Sequence, residues 1–331
     1  MRLWKIIAVA TAAEMAFAAA GFALIGVVGG AFSEWLDLVN QFAVLGLGVS
    51  LAALGLSLLV APPGGMRRLL IGGSAVGLVS AVFLMGPEWI AAAGGLTVRP
   101  AAGAPPFKLV QFNIWHENSQ VAQAAEVVAA ADPDVVALEE LDGFSDRKLA
   151  PFDRAFPYRA TCTPAWACGM ILYSKAAPIS VEDLTPRHAD GRPERGLLKA
   201  VYRGHDGKPI TIIALHMTWP MPPGAQRAQW AALQKAVKDA GSTGVIVTGD
   251  FNLTPWSYAL KRGDRMLAPL VRRTRGIGTY PALVPRARLP WPAPFMAIDQ
   301  IYASPDLRVT GVHALPRAGS DHYPVEADIS R

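Results

Sequence analysis

Apolar residues fall along this chain in two regimes. From Met1 to Arg99 they run almost without interruption, and the only charges are Arg2, Lys5, Glu14, Glu34, Asp37, Arg67, Arg68, Glu88 and Arg99. From Lys108 onward charges come every few residues, and polar turns separate short apolar bursts. In the first regime three stretches, Ile6 to Phe32, Phe42 to Val60 and Leu69 to Met85, are long enough to cross a hydrocarbon core of ~30 Å, which needs roughly 20 helical residues. They lack the polar face of a soluble core helix. A cleaved signal peptide does not explain the first, because its apolar run is too long and two more spans follow.

In the second regime, period-two and short continuous apolar runs predict strands at Lys108–Asn113, Val135–Leu138, Met170–Tyr173, Leu197–Tyr202, Ile210–Leu215, Val245–Thr248 and Gln300–Ala303. Helical spacing marks Val121–Ala131 and Ala225–Ala240. Many strands with few helices imply stacked sheets flanked by helices, an α/β sandwich and not a simple doubly wound sheet. Between the regimes, Thr97 to Pro106 is rich in Pro, Ala and Gly and reads as a linker. The expected organisation is a three-helix membrane anchor over 1–95, a linker over 96–106 and one folded domain over 107–331.

Charge placement orients the anchor. Arg2 and Lys5 precede the first span, and Arg67 and Arg68 lie between the second and third, whereas the other loop carries Glu34 and Asp37 without Lys or Arg. The positive-inside rule puts the N-terminus and the Arg67/Arg68 loop in the cytoplasm, and three spans then put the large domain outside. Trp35 and Trp89 fall at the outer boundary, where amphipathic rings prefer to sit. Glu14 lies within the first span. Such a carboxyl is either functional or a protonated or paired group that joins the helices.

Composition adds two constraints. The chain is 52% hydrophobic and 17% charged, too apolar for an ordinary soluble protein. A net charge of +5 suits an anionic partner such as phosphate, nucleic acid or lipid headgroups, although membrane proteins are often basic for other reasons. Cys162 and Cys168 are the only cysteines. Their spacing fits neither a zinc pair nor a CxxC redox motif, and an oxidising compartment makes a short disulfide loop plausible against two free thiols.

Polar residues recur at the ends of the apolar strand runs. They are Gln111-Phe112-Asn113, Glu139-Glu140 after Val135–Leu138, His216 after Ile212–Leu215, Gly249-Asp250-Phe251-Asn252 after Val245–Thr248, Asp299 before Gln300-Ile301, and Ser320-Asp321-His322. Any one of them could be a turn or capping residue. Together they supply carboxylates, carboxamides and two histidines, a hard-oxygen set suited to magnesium, calcium or manganese over zinc.

In this order the motifs resemble the endonuclease/exonuclease/phosphatase superfamily over essentially Phe107 to Ile329, with GDFN and the later SDH as the strongest signals. The resemblance implies a four-layer α/β sandwich, two packed mixed sheets flanked by helices, that hydrolyses phosphoesters by direct attack of water. It implies that Glu140 is the principal ligand of Mg2+ (or Mn2+), with Asn113 beside it and Asp321 close to the metal. Asp250 corresponds to the water-orienting carboxylate and Asn252 to the phosphate-binding carboxamide; two apart on extended chain, they should face the same way. His216 corresponds to the histidine near the leaving group, His322 to the second histidine, and Asp299 to the carboxylate that orients it.

Two positions depart from the family pattern. Glu139 stands where Gln is usual, and strand alternation should let only one of Glu139 and Glu140 enter the site. Gln300 stands where His, Tyr or Arg is common, which would alter substrate contacts. His116, His188, His205 and His313 read as solvated surface, with His116 near enough to Asn113 to touch substrate. The Arg272-Arg273-Thr274-Arg275 run, followed by Gly276 to Pro281, is either a loop that grips phosphate or lipid or a solvated basic turn.

Three spans joined to such a domain resemble a bacterial subgroup that includes teicoplanin-resistance membrane proteins. That resemblance implies a multi-pass protein of the bacterial inner membrane whose site faces outward and acts on lipid-linked phosphates or phosphodiesters. Tethering concentrates a lipid substrate near the site but helps little with a soluble one. An extracytoplasmic nuclease is the second enzyme class, disfavoured because no basic helix or aromatic-rich stacking surface stands out beyond the Arg272 loop. An inactive membrane-anchored binding protein should have lost one or more of the chemical positions, and none is lost.

Overall fold

The three apolar stretches fold as long helices, α1 (Leu3–Phe32), α2 (Glu34–Val60) and α3 (Gly65–Gly94). The computed structural model describes residues 3–95, 105–162, 168–188, 190–284, 287, 289–291 and 293–331, so most of the linker expected at 96–106 lies outside the described residues. Small residues let the helices meet. Ala12, Ala16 and Ala19 of α1 are buried, as are Ser50, Ala53 and Ser57 of α2. A Cβ on Gly77 of α3 would lie 2.6 Å from Ala19 Cβ, so glycine is required for that approach. Only 22–33% of each helix's most apolar window is buried, which leaves most of its greasy surface facing outward. Glu14 is on that exposed face, so it does not join the helices as an internal paired group would.

The chain forms two compact units: Met1–Ala91 with Leu253–Arg262, and Ala92–Asn252 with Gly263–Arg331. In chain order the second part of the sequence gives β1 (Phe107–Asn113), α4 (Val121–Ala130), β2 (Val135–Glu139), α5 (Asp146–Ala155), β3 (Tyr158–Thr161), β4 (Met170–Ser174), β5 (Ser180–Asp183), β6 (Leu197–Arg203) and β7 (Pro209–His216). It continues with α6 (Arg227–Ala240), β8 (Val245–Asp250), α7 (Tyr258–Met266), β9 (Val271–Arg272), β10 (Leu283–Val284), β11 (Leu289–Pro290), β12 (Asp299–Ala303), β13 (Arg308–Ala314) and β14 (Val325–Ser330). The strands build two mixed six-stranded sheets, ordered β13-β14-β1-β2-β4-β3 and β5-β6-β7-β8-β12-β9, with a small β10-β11 ribbon.

Alternation assigns the faces. Leu109, Val135, Ala137, Leu172, Leu198, Ile212, Ala214, Ile246 and Ile301 meet between the sheets in one apolar cluster. Val110, Phe112, Val136 and Leu138 point the other way and are covered by Val121, Ala125 and Val128 of α4 and by Leu149 and Phe152 of α5. Helix α6 buries Leu233, Ala236 and Val237 on the far side of the second sheet. The result is the four-layer sandwich the sequence implied. Cys162 and Cys168 form a disulfide, with Cα atoms 6.3 Å apart.

Candidate active site

The inward series of the central strands starts apolar and ends polar, and the polar ends coincide. In register, Asn113 of β1 lies beside Glu139 of β2, His216 of β7 beside Asp250 of β8, and Asp250 opposite Asp299 of β12. Behind these polar ends the inward positions are apolar, as in Phe107-Leu109 before Gln111-Asn113, Val135-Ala137 before Glu139 and Ile212-Ala214 before His216. Close strand approach makes this possible at β8: Gly249 has φ +145°, and a Cβ there would overlap the Leu215 carbonyl oxygen.

Gln111, Asn113, Glu139, His216, Asp250, Asn252, Asp299 and His322 are all buried. His322 Nδ1 lies 2.8 Å from Asp299 Oδ2. Gln111 Nε2 donates at 2.7 Å both to the other Asp299 oxygen, Oδ1, and to Glu139 Oε2. Asn113 Nδ2 donates to Asp250 Oδ2 at 3.0 Å. His216 Nε2 is 3.5 Å from Glu140 Oε1 and 3.8 Å from Asp250 Oδ2, and His322 Nε2 is 3.9 Å from the same Asp250 oxygen. The Ser320 hydroxyl ties the SDH turn to β1, donating to the Asn113 carbonyl at 2.7 Å and accepting from His322 N at 3.0 Å.

Three expectations change in detail. Both Glu139 and Glu140 face the cleft, because Glu140 has φ +59° and turns back from the outward direction that alternation would assign it. Glu139 is the deeper of the two. Asn252 does not continue the extended chain of β8: with φ +53° it makes a turn in which its N–H donates to Asp250 Oδ1 at 2.7 Å and its Nδ2 to the Met217 carbonyl at 2.8 Å. The Gln300 side chain is held within the fold, accepting from Thr274 Oγ1 at 2.7 Å and donating to the Ala297 carbonyl.

The basic loop also divides. Arg272 is buried in a two-point pair with Asp264, whose Oδ1 also accepts the Tyr302 hydroxyl at 2.7 Å. It is therefore part of the core. Tyr280 is the residue of that loop that reaches the site, its ring 5.0 Å from that of His322. His116 lies at the mouth, with Nδ1 3.5 Å from Glu140 Oε2. His205 pairs with Asp134.

Crowded charge sets the proton affinities. Burial and the nearby Asp299 push the Asp250 carboxyl up to about 7. Burial, then Asp299 and Asp250, drive Glu139 well above the carboxylate range. Asp321 is raised by burial, although His322 opposes it. Burial also lifts Glu140, but His216, His322, the Asn113 amide and Arg195 outweigh it and hold that carboxyl below its usual value. Burial and Arg195 depress His216 to about 3, so it is neutral. Burial works against a charge on His322 too, yet the Asp299 partner wins and raises it well above an ordinary histidine.

A divalent cation fits this donor set. Several carboxylates that raise one another's proton affinity form a field that a hard cation relieves. Asp250, Asp299 and His322 place ligand atoms within 4.8 Å of one another. That closeness arises from pairing, since His322 and Gln111 already occupy the two Asp299 oxygens. Glu140 and Asp321, each half-buried, are freer to turn to an ion. Asn113 gives its oxygen to the Trp115 N–H at 3.1 Å and its nitrogen to Asp250, so it meets the carboxylates as a donor.

Several site residues carry no motif. Arg195 Nη1 lies 3.1 Å from His216 Nδ1 and 4.0 Å from Glu140 Oε1. It also lines a cavity of about 510 Å3 with Asp142, Cys168, His188 and Thr218. Gln229 of α6 donates to the His216 carbonyl at 2.9 Å and accepts from Thr218 N, and Gln226 donates to the Phe251 and Thr218 carbonyls. The two glutamines sit three apart at the start of α6, a spacing that places them on one face.

Four layers with carboxylates, carboxamides and histidines gathered at one end of the space between the sheets define a class, the phosphoester hydrolases of the endonuclease/exonuclease/phosphatase type. This chain belongs to that family: residues 110–322, more than half of its length, match the Endonuclease/Exonuclease/phosphatase family. Among solved structures, an endonuclease/exonuclease/phosphatase from Bacteroides vulgatus is 18% identical, with a TM-score of 0.54 over 68% of this chain and 98% of that one. A mannosyl-6-phosphatase from Bacteroides thetaiotaomicron is 17% identical, with a TM-score of 0.50 over 68% and 100%. Beta toxin from Staphylococcus aureus, solved with bound magnesium ions, is 15% identical, with a TM-score of 0.50 over 67% and 99%. At these identities the likeness is one of fold. No curated protein sequence matches the chain.

Proposed function

We propose that the protein is a membrane-anchored, divalent-metal-dependent hydrolase of lipid-linked phosphates or phosphodiesters at the outer face of a bacterial inner membrane. The observation that carries the reading is the joining, in one chain, of three mostly outward-greasy helices to a site in which Asp250, His216, His322 and Glu140 surround one cleft. The loop between the first two spans carries Glu34 and Asp37 without Lys or Arg, whereas Arg67 and Arg68 lie between the second and third, and this charge pattern supports an outward-facing catalytic domain.

Asp250 acts as the acceptor of the attacking water's proton; a carboxyl poised at about 7 can take a proton and release it near neutrality. Asn252 orients phosphate beside it. His322, kept cationic by Asp299, stabilises the negative charge that builds on the phosphoryl oxygens. His216, neutral, donates a hydrogen bond near the leaving oxygen, with Arg195 behind it to hold an anionic headgroup in the adjoining cavity. Glu140 and Asp321 would hold Mg2+ or Mn2+, which when bound supplies positive charge to the phosphoryl group and lowers the proton affinity of water.

The test is an activity screen of the full-length protein in lipid nanodiscs, with and without magnesium, on lipid diphosphates, lysophospholipids, sphingomyelin, nucleotides and DNA. Magnesium-dependent release of phosphate or headgroup from a lipid is expected. Preferential cleavage of DNA would replace the lipid reading with the nuclease one. An alkaline-phosphatase fusion at Arg331 should be active; an inactive one beside a fluorescent cytoplasmic reporter would reverse the topology and remove the case for an outer-face substrate.

A further inference from the structure

Asp37, which the charge pattern reads only as an orienting acid in the turn between α1 and α2, is 3% exposed. A buried carboxylate is costly unless it is hydrogen-bonded. Asp37 is fully engaged: Oδ1 accepts the Tyr258 N–H at 2.9 Å and the Asn40 amide at 2.8 Å, and Oδ2 accepts the Ala259 N–H at 2.7 Å. Tyr258 and Ala259 are the first two residues of α7, whose opening amides have no partner within the helix. Asp37 thus caps a helix more than two hundred residues away, and its charge faces the positive end of that helix.

The neighbouring contacts extend the clamp. Gln41 Oε1 accepts the Thr254 N–H at 2.8 Å, and the Tyr258 hydroxyl donates to the Val27 carbonyl at 2.9 Å. Trp256 is buried against Ala43, Leu84 and Met85. Arg262 lies 3.8 Å from Glu34. All three long helices therefore hold the segment from Thr254 to Arg262.

That segment follows directly on Asp250-Phe251-Asn252, with Thr254 only two residues past Asn252. We infer that Asp37 and Gln41 are positioning residues for the hydrolytic reaction: by fixing the chain immediately after Asn252, the anchor sets the loop that carries the water-handling and phosphate-binding groups. The inference rests on the roles proposed above for Asp250 and Asn252. It makes the anchor part of the catalytic machinery as well as its tether. Misplacement of a reacting geometry by ~1 Å costs roughly a hundredfold in rate.

The experiment compares full-length Asp37→Ala, Asp37→Asn and Gln41→Ala with the parent in lipid nanodiscs, using bis(p-nitrophenyl) phosphate with magnesium and hydrogen–deuterium exchange of peptides over 248–262. Asp37→Ala should lower kcat by roughly ten- to a hundredfold with little change in KM. Exchange should rise at Tyr258 and Ala259 and also through Asp250 to Asn252. Asp37→Asn, which keeps one acceptor oxygen, should recover most of the rate, and Gln41→Ala should show a smaller loss of the same kind. Parental kcat in Asp37→Ala, or faster exchange confined to 254–262 with 250–252 unchanged, would overturn the inference. If Asp37→Ala does not fold, Gln41→Ala decides by the same two readouts, and parental kcat with unchanged exchange over 250–252 in that variant would overturn the inference. A parent inactive on every phosphoester would count against the functional reading alone, because exchange over 250–252 still decides whether the anchor holds the loop.

Discussion

Asp299 engages His322 and Gln111 at once, one oxygen 2.8 Å from His322 Nδ1 and the other accepting Gln111 Nε2 at 2.7 Å. With both oxygens used, its orientation is fixed, and so are the tautomer and charge of His322. Asp299→Asn should lower kcat by roughly a hundred- to a thousandfold, or about 3–4 kcal/mol of barrier. The Asp299 charge is what raises His322 against burial. The alkaline limb of the rate–pH profile should therefore move to lower pH in the variant, and an unmoved limb would show that His322 does not act as a cation.

Glu139 and Glu140 should separate cleanly although they are neighbours facing one cleft. Glu140→Gln should abolish turnover at ordinary magnesium and recover in part at higher magnesium or with manganese. Glu139→Gln should leave kcat close to the parent. Because the folded-state proton affinity of Glu139 lies well above its unfolded value, its ionisation opposes folding as pH rises. The glutamine variant should accordingly melt higher than the parent at pH 8 and show a smaller gain at pH 5. An inactive Glu139→Gln beside an active Glu140→Gln would exchange their roles.

Asp250 is a case of stability traded for chemistry. A carboxyl raised from 3.8 to about 7 favours folding below its unfolded value and loses that contribution as pH climbs through 7. Its ionisation then costs on the order of 4 kcal/mol in the metal-free protein. In EDTA, Asp250→Asn should have a melting midpoint above the parent's at pH 8, with the gap closing towards pH 4, while turnover is lost and added metal does not restore it. A gap independent of pH would mean that Asp250 is not the strained group.

Arg195 should act on binding and on His216 together. Arg195→Ala should raise KM for an anionic ester by roughly tenfold or more, and Arg195→Lys should rescue little, because a point charge cannot reproduce the planar guanidinium. The variant also removes one of the causes that depress His216 to about 3. An NMR titration of the His216 ring should show its proton affinity moving up towards 6.5. An unchanged His216 titration together with an unchanged KM would remove Arg195 from the site.

The sequence is legible wherever burial is one-sided and periodic. Each of the seven expected strands and both expected helices exists, with ends that differ by a few residues, because central strands and the α4 and α6 faces must repeat apolar residues at fixed intervals. Edge strands escape: β5 is exposed along all four residues, and β3 buries mainly Ala160. β14 does carry the period-two pattern, Val325-Glu326-Ala327-Asp328-Ile329, and is missing from the expected strands all the same, whereas in α5 the internal Pro151 reads as a breaker. Polar strand ends mark the cleft in advance, but alternation fails at Glu140 and Asn252, where left-handed backbone re-aims the side chain. Arg195 sits in a polar stretch with other arginines, and nothing in its spacing distinguishes it. The work of Asp37 cannot be read locally, since its partners lie 221 and 222 residues further on.

That separation has a consequence for how the molecule is made. The turn between the first two helices emerges early in synthesis, yet the amides that satisfy its buried carboxylate arrive only after about three quarters of the chain exists. Until then Asp37 must stay hydrated or borrow other donors, so the bundle cannot settle as a finished module ahead of the domain that follows it. Contacts of such long range make late steps slow and leave intermediates exposed. Completion of the helical unit thus waits for residues 253–262, and a chain truncated before Tyr258 should be cleared by quality-control proteases even though all three of its apolar helices are intact.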